Sequence, residues 1–142
     1  MGRPGAAAVQ DGDRLRTMDS RVYEVLNTDQ IEDLRGVDGG GMLARLVGMY
    51  LSKAPQRILT LRAHLAAMNL EGIAHEAHAL KGASGNIGAA RVASTCQLIE
   101  KAGIARDAVQ LDTLLQALEG EFGQARDALQ AMSKPGNSAA GR

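Results

Sequence analysis

The sequence predicts an all-α protein: an up-and-down antiparallel four-helix bundle with an additional short N-terminal helix. Three observations carry this expectation. Apolar residues recur every three or four positions along most of the chain, the period of a helix buried on one face. Aromatic residues make up only 2% of the 142 residues (Tyr23, Tyr50 and Phe122), whereas strands favour aromatic and β-branched side chains. The segments between periodic stretches are short, and short connections make consecutive helices antiparallel neighbours.

The first helix is short. It lies within "RVYEVLNTDQIEDLRGV", with Thr28 or Asn27 as N-cap and Ile31 and Leu34 on one side. It is expected to lie over the bundle as a lid. The next stretch, "GGGMLARLVGMYLSKAPQRILTLRAHLAAMN", places Leu43, Leu46, Val47, Tyr50 and Leu51 at helical spacing. Ile58, Leu61, Leu65 and Met68 continue the pattern, and Pro55 between them predicts a kink or a break. A third helix is expected from about Leu70 to Gly85. A fourth follows Gly88, with Val92, Cys96 and Ile99 as its apolar line. The fifth runs from about Asp107 to Met132 on Leu111, Leu114, Leu115, Leu118, Phe122, Ala125 and Leu129. One bundle domain over 18–132 follows. The Gly-, Ala- and charge-rich residues 1–17 and the terminal "SKPGNSAAGR" over 133–142 read as disordered tails.

Composition excludes several classes. Hydrophobic residues are 45% and charged residues 23%, which suits one globular domain. A formal net charge of +0 gives no general attraction to nucleic acid or to an anionic membrane. No stretch approaches 18 apolar residues, so no membrane span is expected. Cys96 is the single cysteine, so no internal disulfide forms, which fits a reducing compartment. The N-terminus lacks a signal peptide's apolar core, and a cytoplasmic location is the default expectation. A small core residue is the expected role of Cys96.

The chemistry concentrates in "HEAHALKGASGNIG", His75 to Gly88. At about 100° per residue, Ile73, Ala77, Leu80, Ser84 and Ile87 share the buried face, and His78 lies roughly 140° from its centre. Lys81 follows His78 by three residues and His75 precedes it by three, so each neighbours it on the helix. Gly82 and Gly85 leave bare backbone on the same side, which lets another protein approach closely. A neutral imidazole is a good nucleophile near pH 7. A nearby ammonium stabilises a phosphoryl group placed on it. These features describe an exposed histidine that receives phosphate from a large, close-fitting donor.

"AHALKGASGNIGA" resembles the signature of histidine-containing phosphotransfer (HPt) domains of bacterial phosphorelays, roughly His-x-Leu-Lys-Gly-x-Ser-x-x-x-Gly-Ala. The match falls on His78, Leu80, Lys81, Gly82, Ser84, Gly88 and Ala89, and "RVASTCQLIE" continues it through Val92, Cys96 and Glu100. The resemblance implies a phosphocarrier rather than an enzyme. An aspartyl phosphate on a response-regulator receiver domain would pass its phosphoryl group to Nε2 of His78, and a second receiver would take it. A hybrid sensor histidine kinase would stand upstream. By the same resemblance Lys81 screens the phosphate and Gly82 admits the receiver. His75 and Gly85 belong to the docking surface, Gly88 has a structural role at the helix end, and Glu100 orients the ring through Nδ1 with Gln97 beside it. No cofactor is implied for this chain, since Mg²⁺ would sit on the receiver. Glu100 is acidic where many members carry an amide, and His75 lies outside the signature.

Other readings fail on spacing. "HEAH" places its histidines at i and i+3, not the i and i+4 of His-Glu-x-x-His zinc sites, and no third ligand follows, so no metal is expected. "GASGNIG" lacks the Gly-Lys-Ser/Thr ending of a phosphate-binding loop, and Asn86 spoils a nucleophile elbow. His64 reads as an ordinary surface histidine. The alternative from another class is a helical adaptor that binds and regulates a receiver or kinase without carrying phosphate. A piece of a hybrid kinase and a stand-alone protein fit equally, and a monomer is the default.

Overall fold

The computed structural model describes residues 24–133. Five helices and no strand occur among the described residues: α1 (Thr28–Asp38), α2 (Gly41–Ala66), α3 (Leu70–Asn86), α4 (Ala90–Ile104) and α5 (Ala108–Ser133). α2 to α5 each pack on the next, α5 returns to α2, and α1 rests on α2. This is the predicted bundle with its short extra helix. Ser133, expected to open the C-terminal tail, is the last residue of α5. The tails predicted over 1–17 and 134–142 lie outside the described residues, as do residues 18–23 of the expected domain.

The amphipathic spacing is realised as one core. Leu43, Leu61, Ile73, Leu80, Ile99, Leu111, Leu115, Leu118 and Leu129 are completely buried. Burying each such side chain contributes about 1.5–3 kcal/mol. Tyr50 and Phe122 meet as a tilted pair with centroids 5.9 Å apart. The Tyr50 hydroxyl shares a 2.7 Å hydrogen bond with Ser84 Oγ, so the two buried hydroxyls satisfy each other across α2 and α3. Burial pushes the Tyr50 phenol up to about 12. Cys96 is fully buried, as expected of a core residue, and burial likewise pushes its thiol up to about 12.

Pro55 does not break α2, which runs uninterrupted through it. A proline inside a helix costs about 3 kcal/mol or more. Its ring is exposed here, and buried Val47, Tyr50, Ala54, Ile58 and Leu61 hold both halves of the helix against the core. Gln56 adds a side-chain hydrogen bond to the Ser52 carbonyl in the same turn.

α1 caps the open ends of its neighbours. Of the two candidate N-caps, Asn27 is the one used: its side chain accepts from the Gln30 amide at 3.1 Å. Gln30 Nε2 donates to the carbonyls of Gly85 (2.8 Å) and Asn86 (3.0 Å) at the end of α3. Arg35 Nη2 donates to the Met132 carbonyl near the end of α5. Helix C-termini leave such carbonyls without partners, so α1 ties the bundle at one end.

The three connections within the bundle share one design. In each, the residue after the helix cap is left-handed: Met68 (φ 56), Gly88 (φ 81) and Arg106 (φ 59). The paired backbone bonds of a Schellman cap close each turn, Asn69 to His64 (2.8 Å), Ala89 to Ser84 (2.8 Å) and Asp107 to Ala102 (3.0 Å) being the longer-range members. The left-handed conformation costs a non-glycine residue about 1–2 kcal/mol. Met68→Gly and Arg106→Gly are therefore expected to stabilise the protein by about 0.5–1 kcal/mol each, after the entropy of glycine is charged. Both side chains are exposed, so little packing is lost. Urea midpoints measure this; unchanged or lower midpoints would mean that neither turn is strained.

Candidate functional site

The site is built on α3, whose start is fixed by Asn69. The Asn69 side chain accepts from the Gly72 amide at 3.0 Å, and its Nδ2 lies 3.2 Å from His64 Nδ1. A Cβ on Gly72 would stand 2.6 Å from Asn69 Nδ2 and 2.9 Å from the His64 ring, so a larger residue would push these two side chains out of the cap. His64 thus serves the α2–α3 turn.

Two turns further on, His78 projects away from the core with its side chain 66% exposed. Its Nδ1 lies 3.1 Å from Glu100 Oε2 on α4. Lys81 Nζ donates to the other oxygen of the same carboxylate, Oε1, also at 3.1 Å. One carboxylate therefore holds both functional groups of α3. Partial burial pushes the Glu100 carboxyl up, but the hydrogen bond and charge of Lys81, with those of His78, outweigh it and leave the group below the usual carboxylate range. An ionised carboxylate only accepts. Nδ1 must then donate, and in the neutral ring Nε2 keeps its lone pair.

Glu100→Ala removes this bias. Nδ1–H in the neutral ring should fall about fivefold relative to Nε2–H, the value of one exposed bond of about 1 kcal/mol. Glu100→Gln keeps an accepting carbonyl and should preserve the tautomer. Long-range ¹⁵N–¹H NMR of the imidazole distinguishes the two, and an unaltered tautomer in the alanine variant would remove Glu100 from the orienting role.

The remaining predicted residues fall on two levels. Gly82 and Gly85 are exposed, and a Cβ on either would meet nothing within 4 Å, so the face beside His78 is open. His75 is exposed and lines a shallow concavity with His78, Glu71, Ala74 and Glu100. Gly88 is buried, and a Cβ there would stand 3.0 Å from Ile31 Cγ1 and 3.3 Å from the Asn27 carbonyl. Its role is structural, under α1. Gln97 is exposed one turn before Glu100, lies outside the concavity and makes no hydrogen bond to His78 among the described residues. Among the described residues, Glu100 is the side chain hydrogen-bonded to the ring.

Sequence reasoning missed Gly103. A Cβ there would lie 3.1 Å from the Leu70 carbonyl and 3.3 Å from the Ala74 amide, so α4 meets the backbone of α3 directly. A small residue on the buried stripe of α4, after Ala102, was the available signal. The cross-helix pair Arg57–Glu76 (2.7 Å) was also invisible in sequence. No group of three or more His, Cys, Asp or Glu able to hold a metal occurs among the described residues. No described helix is long and apolar enough to cross a membrane.

Comparison with known proteins bears on the whole arrangement. The Hpt domain family model matches residues 45–133, from early α2 to the end of α5. No curated protein sequence matches the chain. Among solved structures it is similar to histidine-containing phosphotransfer protein B of Pseudomonas aeruginosa PAO1, with 23% identity, TM-score 0.73, and coverage of 78% of this chain and 96% of that one. It is also similar to a histidine-containing phosphotransfer protein of Medicago truncatula, with 22% identity, TM-score 0.73, and coverage of 92% and 94%. Those two structures share the helical fold, and the family model spans more than half of the sequence; the chain belongs to the Hpt domain family, the phosphotransfer proteins of two-component signalling.

Proposed function

We propose that this chain is a phosphorelay intermediate that accepts a phosphoryl group on His78 from a receiver-domain aspartate and passes it to another receiver. The observation that supports it best is the two-sided grip of Glu100, which donates nothing and so keeps the proton on Nδ1 and the lone pair on Nε2. In the forward step the Nε2 lone pair attacks phosphorus of the aspartyl phosphate. The N–P bond forms, the P–O bond to the aspartate breaks, and the carboxylate leaves with the electron pair. The ring keeps its Nδ1 proton and becomes cationic, and the Glu100 carboxylate offsets that charge. The reverse step returns the phosphoryl group to an aspartate.

Lys81 screens the phosphoryl oxygens from its place beside Glu100. Gly82 and Gly85 admit the receiver, because no side chain stands over them. Mg²⁺ belongs to the receiver, as does the hybrid sensor kinase upstream to the signalling chain that loads it. The test is transfer: protein phosphorylated with phosphoramidate is mixed with isolated receiver domains of the same organism. Loss of the acid-labile label from this chain, with an acyl phosphate appearing on a receiver, is expected. Retention of the label against every receiver would leave His78 an acceptor without a relay.

A further inference from the structure

The concavity beside His78 has about 360 Å³ of space and is lined by Glu71, Ala74, His75, His78 and Glu100. All but Glu100 belong to α3, and three of them precede His78. That asymmetry has a geometric cause. In a helix every Cα–Cβ bond tilts toward the N-terminus, so the His78 ring leans over the preceding turn, where His75 stands. Residues three apart are neighbours on a helix surface, about 5–6 Å between Cβ atoms.

The two basic residues flanking His78 are not equivalent. Lys81 Nζ is bound to Glu100 Oε1. His75 is exposed and has no hydrogen bond or ion pair among the described residues. The charged and titratable groups around His75 are Glu71 and His78 on α3 and Glu100 on α4, with Lys81 engaged by Glu100. A phosphoryl group on the His78 ring, at the wall of this concavity, has two carboxylates beside it, Glu71 and Glu100. Lys81 and His75 are the basic residues on either side of it.

We infer that His75 is a positioning residue for the phosphoryl group carried by His78, donating a ring N–H to a phosphoryl oxygen. The inference rests on His78 as the acceptor. A hydrogen bond from His75 to an ionised phosphoryl oxygen is charge-assisted and holds the group in place, so losing it speeds escape of the group to water.

The experiment compares wild type, His75→Ala and His75→Lys, each phosphorylated with phosphoramidate, with intact mass followed over time. The His75→Ala protein should lose phosphate about threefold faster than wild type, the size of an exposed charged contact, and His75→Lys, which restores an N–H donor, should keep it as wild type does. Coincident rates for wild type and His75→Ala, or no recovery in His75→Lys, would overturn the role of His75 while leaving His78 the acceptor. Absence of any acid-labile adduct on the wild type would overturn both readings together.

Discussion

His78→Gln is expected to abolish acid-labile phosphorylation by phosphoramidate while leaving the bundle folded. The side chain is 66% exposed, and its one hydrogen bond is to a carboxylate near the surface. Exposed pairs of this kind contribute about 0–1 kcal/mol, and the glutamine amide can donate to Glu100 in its place. Helicity and melting temperature should therefore stay near wild type. Labelling should fall to background, because no other imidazole has the same arrangement. His64 lies against Asn69 in the α2–α3 turn, and His75 has no carboxylate holding either nitrogen. Circular dichroism and intact mass read the two halves of the prediction. Equal labelling of wild type and variant would move the acceptor to another residue and favour an adaptor that carries no phosphate on His78. Loss of helicity would mean that the imidazole supports the fold.

Gly103→Val should cost about 3 kcal/mol, the upper end of what overpacking a buried contact costs. The atoms opposing a Cβ at this position are the Leu70 carbonyl at 3.1 Å, the Ala74 amide at 3.3 Å and Ala74 Cα at 3.5 Å. All three are backbone, so no rotamer change relieves them and α3 and α4 must separate. For a domain of this size 1 kcal/mol moves the melting temperature by roughly 3–4 °C, so a fall of about 10 °C is expected. The same separation carries Glu100 away from His78 Nδ1 and Lys81 Nζ, so the bias toward the Nδ1–H tautomer should weaken as well. Gly82→Ala is the control. A Cβ there meets nothing within 4 Å, and alanine is better than glycine in a helix interior by about 1 kcal/mol; stability should rise. A Gly103→Val protein that melts with wild type would show that the two helices do not depend on this contact.

Much of the architecture was legible in the sequence because it rests on local rules. The apolar period marked five helices, their inner faces and the outward direction of His78, since a helix fixes the angle between residues whatever it packs against. Gly88 announced the α3–α4 turn, since a left-handed cap favours glycine. The same rule left Met68 and Arg106 unannounced, because non-glycine residues there satisfy the geometry at a cost that the tertiary structure offsets. Pro55 does not break α2 for a similar reason. A propensity of about 3 kcal/mol against the helix is outweighed by the core residues on either side of it.

By itself, then, the sequence determined the helices, their buried faces, the exposed phosphoacceptor candidate on α3 and the family signature around it. Only the tertiary structure decided which groups meet. The angle of a residue around a helix follows from its position in the chain. Its partner on the next helix follows from the axial offset between the two helices, which no periodicity contains. That offset is set by the three-residue turns and by the contact of Gly103 with the backbone of α3. It places one carboxylate, Glu100, between His78 and Lys81 and gives the end of α3 to Gln30 of α1. Angles are a local property of the chain, whereas registers are a property of the packed molecule.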